Sequence, residues 1–259
     1  MKRYFVTYLN WVLLITTNYF IVNGQDFIFK NFTTTNGLPN GLITCVSQSI
    51  NKNIFVGTSE GFYKFNGYSF ENLFIKNNLT HLKDPFIQSI TSDNSGGIWL
   101  ASRTSIERYN SITDSFSDLS KYRNLNFKYD LIHNLFFDEN KFLWIAPDNR
   151  NPVVFNTNNN TMVSIPWKEW VYSHKYSTKT YLTVNKFVKK NKFETWLCTN
   201  VGLYSYNSAN KKFSIYSYKD SIGRFWEYTD LWDDNKGNIY LNTGGNLSLI
   251  HISEPTRPY

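Results

Sequence analysis

An aromatic residue recurs along this chain at Phe55, Trp99, Trp144, Trp196 and Tyr240, at intervals of about 44, 45, 52 and 44 residues. That regularity constrains the fold more than any other feature. A period near this length is the size of one four-stranded propeller blade. A unit this small cannot bury its own apolar face and must stack on its neighbours.

The units superpose along their length. Before each aromatic runs a short apolar segment, Ile43–Ser47, Ile87–Thr91, Leu131–Phe137, Asn185–Val188 and Tyr228–Trp232, which predicts an inner strand. A polar turn follows, as in Asp93-Asn94-Ser95-Gly96-Gly97 and Asp234-Asn235-Lys236-Gly237-Asn238. There Asp can bond turn amides and Gly can take positive φ, so the pattern reads as a hairpin. The next strand carries the aromatic between apolar and small residues, as in Ile54-Phe55-Val56-Gly57-Thr58 and Ile98-Trp99-Leu100-Ala101-Ser102. A third strand alternates as a half-buried strand should and ends at Asn66, Asn110, Asn156 or Asn207. More polar outer strands are expected at Ser69–Glu71, Ser115–Ser117 and Lys212–Ser214.

In combination, Gly37-Leu38-Pro39, Asp-x-x-Gly-(Asn/Gly)-Ile before the aromatic, Gly-Thr, and Gly-(Leu/Phe)-Tyr-x-(Phe/Tyr)-Asn resemble the two-component regulator propeller repeats of exported sensor regions in Bacteroidetes-type hybrid histidine kinases. The resemblance covers roughly Phe27 to Asn246. It departs from the pattern at Lys189-Lys190-Asn191-Lys192, where Asp and Gly are expected, and at Pro147-Asp148-Asn149-Arg150 in place of a Gly-rich second turn. The expected fold is all-β: a propeller of four-stranded antiparallel blades, about five present, in an incomplete, open ring, since only closure removes exposed strand edges. The resemblance implies a periplasmic sensor that recognises a glycan-derived oligosaccharide. It further implies a full-length homodimer with downstream propeller, immunoglobulin-like and kinase domains, anchored in the inner membrane. The alternatives are a secreted propeller enzyme, a lyase or glycosidase, and a passive carbohydrate-binding or adhesion module.

Lys2 and Arg3 before an apolar stretch interrupted by Asn10 and Thr16-Thr17-Asn18 read as a signal peptide over residues 1–24 rather than a bilayer span. The partial propeller is assigned to 25–246. Residues 247–259, beginning Leu247-Ser248-Leu249-Ile250-His251, break the repeat and resemble a translated sequencing adapter, so they are set aside as a non-native tail on a fragment.

The formal charge of +7 falls to about +5 without Lys2 and Arg3, and the lysines are scattered, so no nucleic-acid partner is indicated. The run Lys189–Lys192 reads as a solvated cluster at a turn. Cys45 and Cys198 sit at different repeat positions in non-adjacent blades, which predicts free thiols.

No catalytic residue, metal site or cofactor is assigned. Gly57-Thr58-Ser59-Glu60-Gly61 spells a nucleophile elbow, yet no helix follows it. Asp93 to Trp99 approaches an Asp-box with its aromatic one residue late. His81, His133 and His174 share no ligand spacing and read as surface histidines. Glycoside cleavage would need paired carboxyl groups, which no pattern places. No nucleotide-binding glycine motif or phosphoacceptor helix is present, so the chain itself is expected to be no enzyme.

The five marker aromatics share one register and so predict inter-blade core. What fails to repeat is more informative. The insertion around Trp167, Trp170, Tyr172 and His174 combines flat aromatics with polar groups, chemistry that stacks on and orients a sugar ring. The competing account is a loop packing on its own blade. Arg103 and Arg150, in second turns of the same rim, complete the candidate ligand-binding set.

Overall fold

The structure is a computed structural model that describes residues 29–39, 41–76, 84–103, 105–117, 131–148, 150–173, 181–216, 226–234 and 239–243, together with the backbone of 246–250. Met1–Phe32 and Thr33–Tyr259 form separate compact units. Every element below belongs to the second. The signal-peptide assignment, residues 1–24, lies outside the described residues, and no helix among those described is long and apolar enough to cross a membrane.

Five antiparallel sheets follow one another along the chain. The first holds β1 (Ile43–Gln48), β2 (Ile54–Thr58), β3 (Gly61–Phe65) and β4 (Phe70–Asn72), the second β5 (Ile87–Ser92), β6 (Gly97–Ser102), β7 (Ile106–Asn110) and β8 (Ser115–Phe116). The third is β9 (Ile132–Phe137), β10 (Phe142–Pro147), β11 (Val153–Asn156) and β12 (Thr161–Ser164). The fourth is β13 (Val184–Lys189), β14 (Glu194–Thr199), β15 (Gly202–Asn207) and β16 (Lys212–Ile215). The fifth has three described strands, β17 (Tyr228–Asp233), β18 (Ile239–Thr243) and β19 (Asn246–Ile250). The last strand pairs Asn246 with Thr243 and Ile250 with Ile239, so four residues set aside at the sequence level as a tail continue the meander.

Successive first strands β1, β5, β9, β13 and β17 lie side by side, and each second strand reaches across to the first strand of the next sheet. This is propeller stacking. Among the described elements, no comparable contact joins the fifth sheet to the first, which makes the arrangement an open arc.

The marker aromatics hold these junctions together. Phe55, Trp99, Trp144 and Trp196 are buried at one register, opposite Ser47, Thr91, Phe136 and Val188 of their own first strands. Trp99 stacks on Phe137 of the next sheet and Trp144 packs on Phe187. Tyr240 holds the same register, opposite Trp232, and is only partly buried. Two positions further on, the small residues Gly57, Ala101, Ala146 and Cys198 leave room for Ile87, Ile132, Val184 and Tyr228 of the following sheets.

Local rules explain the repeated polar residues. The Asn closing each third strand accepts from amides of the next turn, Asn66 from Tyr68 and Ser69, Asn110 from Ile112 and Thr113, Asn156 from Asn158, and Asn207 from Ala209 and Asn210. Asp93 accepts from the amides of Ser95 and Gly97, and Asp138 from those of Asn140 and Phe142. The Asp and the aromatic thus keep a fixed offset because one carboxylate caps the hairpin that delivers the ring. Gly57 to Gly61 spans the β2–β3 hairpin, with Thr58 opposite Gly61 and no helix after it. Cys45 and Cys198 are both free.

Candidate functional site

Each first strand starts with a bulge in its pairing to the second, leaving Thr44, Gln88, His133, Asn185 and Thr229 as the extra residues. Three of them clip the next sheet. Thr44 Oγ1 donates to the Ile87 carbonyl, Gln88 Oε1 accepts from the Ile132 amide at 3.0 Å, and Asn185 Nδ2 donates to the Tyr228 carbonyl at 2.7 Å. First strands do not pair with one another, so these side chains supply the lateral bonds that no ladder makes.

In the third sheet the clip moves one residue on, to Asn134, whose Oδ1 accepts from the Phe187 amide at 3.1 Å, and the bulge residue turns elsewhere. The His133 Nε2 lies 2.8 Å from Asp148 Oδ1 in its own sheet, and the same oxygen accepts from the Tyr181 hydroxyl at the entrance to the fourth. The three side chains sit at the rim where first strands begin and second strands end. The Asp148 amide bonds the Leu131 carbonyl there, as Ser59 bonds Leu42 and Asn200 bonds Thr183 in other sheets. His133 and Asp148 are 32% and 21% exposed, and Tyr181 is 46% exposed. The Asp148 hydrogen bond, partial burial and the Asp148 charge push the Tyr181 phenol up to about 12, so it stays a donor through the physiological range. His133, read from sequence as a surface histidine, is therefore half-buried and engaged. The signal that could have found it is Pro147-Asp148-Asn149-Arg150, where the repeat loses its glycine.

Of the residues singled out by sequence, Arg103 and Arg150 do lie in second turns of this rim, in different sheets, and both are exposed. The Arg103 guanidinium rests 4.2 Å above the Phe86 ring and has no carboxylate partner among the described residues. The turn of Arg150 is tied to helix α2 (Trp167–Ser173), because Asn151 donates to Glu169 and accepts from the Lys168 amide. Helix α2 overturns part of the expectation for the insertion. Trp167 is fully buried, edge-on to Tyr204, and a ring without exposed surface offers no platform to a sugar. Trp170 packs on Tyr204 and Phe213 and is partly buried. Tyr172 is exposed, and His174 lies outside the described residues.

The insertion also has a counterpart. The short helix α1 (Leu73–Lys76) between the first two sheets buries Leu73 and lays Phe74 on Phe116, as α2 lays Trp170 on Phe213. The aromatics of this connection thus repeat a packing task. Lys189 and Lys190 are also engaged rather than simply solvated. Lys189 pairs with Asp138 at 3.3 Å, 5.5 Å from the Trp144 ring centre, and Lys190 pairs with Glu194 at 3.2 Å above Trp196. Among the described residues, no group of three or more His, Cys, Asp or Glu side chains could hold a metal ion.

No protein-family model matches the chain, and no curated protein does. Solved structures do. The extracellular domain of a candidate hybrid two-component system of B. thetaiotaomicron is 16% identical with a TM-score of 0.66, over 86% of this chain and 30% of that one. The extracellular domain of a candidate one-component system from the same organism is 15% identical with a TM-score of 0.64, over 80% of this chain and 26% of that one. The WD40 repeats of RRP9 are 8% identical with a TM-score of 0.55, over 78% and 59% of the two chains. The chain therefore spans less than a third of the length of the two bacterial chains. In fold, its sheets are blades of a β-propeller of the kind that these extracellular domains contain.

Proposed function

We propose that this chain is the ligand-sensing propeller of an extracytoplasmic receptor that signals to a histidine kinase, and that it recognises a glycan-derived oligosaccharide. A leader over residues 1–24 would export it to the periplasm, with 25–246 as the propeller portion of a membrane-anchored homodimer carrying further propeller, immunoglobulin-like and kinase domains. The observation that carries the reading is the rim. Four sheets repeat one scaffold, and among the departures from it those at residues 147–150 and the α2 insertion lie where first strands begin, the rim that also carries Arg103 over Phe86 and the exposed Tyr172. Repetition serves packing, so recognition belongs to what does not repeat. The extracellular placement of the structurally similar bacterial domains supports the same reading.

The test is a glycan microarray followed by calorimetric titration of the strongest binder. Wild-type chain should bind an oligosaccharide, and Arg103→Ala with Tyr172→Ala should weaken it about tenfold, roughly 1.4 kcal/mol. Chromatography of the same mixtures should show uncleaved glycan. No binding across the array overturns the reading, and cleavage products would replace it with the enzyme alternative.

A further inference from the structure

The junction between the third and fourth sheets differs from its neighbours in one specific way. At the other junctions the bulge side chain is consumed by the backbone of the next sheet. Here the bulge side chain, His133, is held by Asp148, the lateral bond to the next sheet is made one residue later by Asn134, whose Oδ1 accepts from the Phe187 amide at 3.1 Å, and at the rim Tyr181 crosses the junction with its hydroxyl on the same carboxylate oxygen. Asp148 Oδ1 is thereby saturated. Asp148 Oδ2 and His133 Nδ1 have no protein partner among the described residues, and both side chains are open to solvent.

We propose that His133, Asp148 and Tyr181 form a subsite for a neutral sugar at this junction. The assignment rests on the reading of the rim as a glycan-binding surface and names the residues and ligand class within it. The class follows from the groups present. A carboxylate with an open oxygen accepts from a hydroxyl, and an exposed aromatic ring offers an apolar face to the C–H side of a pyranose. The same carboxylate repels a uronic or sulfated sugar at close range. A divalent cation would demand several oxygen or nitrogen ligands, whereas this cluster holds one carboxylate and one imidazole. The orientation is fixed beforehand. Asn200 holds the Tyr181 carbonyl, and the Asp148 amide is bonded to Leu131, so both side chains start from braced backbone.

The 259-residue chain is titrated calorimetrically with neutral hexasaccharides of glucose, mannose, xylose and arabinose, and with oligogalacturonate and a heparin hexasaccharide as anionic probes. One or more of the neutral probes should bind, Asp148→Asn should weaken it at least tenfold, and Tyr181→Phe, which keeps the ring but releases the brace on Asp148 Oδ1, should weaken it by a smaller but measurable factor, while the thermal midpoint and near-UV circular dichroism stay at wild-type values. His133→Gln, which keeps a donor toward Asp148, should weaken it less than Asp148→Asn. Neutral-sugar binding unchanged in both Asp148→Asn and Tyr181→Phe overturns the subsite and leaves the glycan-sensing reading standing. Binding of the anionic probes alone overturns the ligand class. Binding of none of the six probes, while the microarray yields a ligand, also removes the subsite; an empty microarray removes both readings. Should Asp148→Asn lower the thermal midpoint, Tyr181→Phe decides, since it removes one oxygen from the rim.

Discussion

At the residue scale, three of the marker tryptophans share an arrangement that no sequence pattern announces: a cation near the ring, held by a carboxylate. Arg108 sits 5.8 Å from the Trp99 ring centre and pairs with Asp93 at 2.7 Å, Lys189 serves Trp144 with Asp138, and Lys190 serves Trp196 with Glu194. The cation comes from a different strand or turn each time, so the task is conserved within the molecule while the position is not. Gly97 permits the first version, since a Cβ there would lie 2.3 Å from both the Arg108 guanidinium and Asp93 Oδ2. Burial alone would raise the Asp93 carboxyl. Hydrogen bonds from Ser95, Arg108 and the amides of Gly97 and Ser95 outweigh that and hold it below the ordinary 3.8. A depressed folded-state value means that the carboxylate contributes stability fully above 3.8, and that this contribution is lost as pH falls through the lowered value. Urea midpoints measured from pH 6 down to pH 2 should therefore drop less steeply for Asp93→Asn than for wild type below about pH 4. Parallel curves would show that Asp93 is not linked to folding.

At the element scale, the spacing between blades is set by small residues on second strands. A Cβ on Gly57 would lie 2.5 Å from Cys45 Sγ and 2.7 Å from Ile87 Cγ2, so Gly57→Val overpacks the first junction. Chemical denaturation should show a loss of about 1–3 kcal/mol, whereas Ala101→Gly in the second junction should cost about 1 kcal/mol or less. Equal effects would mean that the first junction can open to admit the larger side chain. These elements also show what was legible in the chain. First, second and third strands were readable because apolar period, turn chemistry and marker aromatic all repeat and all serve local geometry. The candidate site was legible only in part. Trp167 and Trp170 drew attention as non-repeating aromatics, but α1 performs the same packing with Leu73 and Phe74, residues of different size that no alignment of repeats brings together. His133 reads from sequence as a surface histidine because its bond to Asp148 replaces one that its counterparts make to the next sheet, and such a substitution of partners exists only in three dimensions.

At the scale of the whole arc, the two ends of the stack are unequal to its middle. Ile90, Leu135, Phe187 and Leu231 occupy one position of successive first strands and are 8%, 3%, 2% and 2% exposed, each covered by the preceding sheet. Val46 holds that position in the first sheet and is 61% exposed. Stacking buries this position only when a neighbour precedes it, so Val46 reports whether the ring closes. An uncovered apolar face of this kind favours self-association, a pressure that closed rings avoid. Val46→Lys should change the urea unfolding free energy by no more than about 0.5 kcal/mol and reduce aggregation in light scattering. Leu135→Lys, which places an unpaired charge in a junction, should cost more than about 4 kcal/mol. A Val46→Lys penalty approaching that of Leu135→Lys would mean that another surface covers the first sheet in solution, and that the arc is closed on that side.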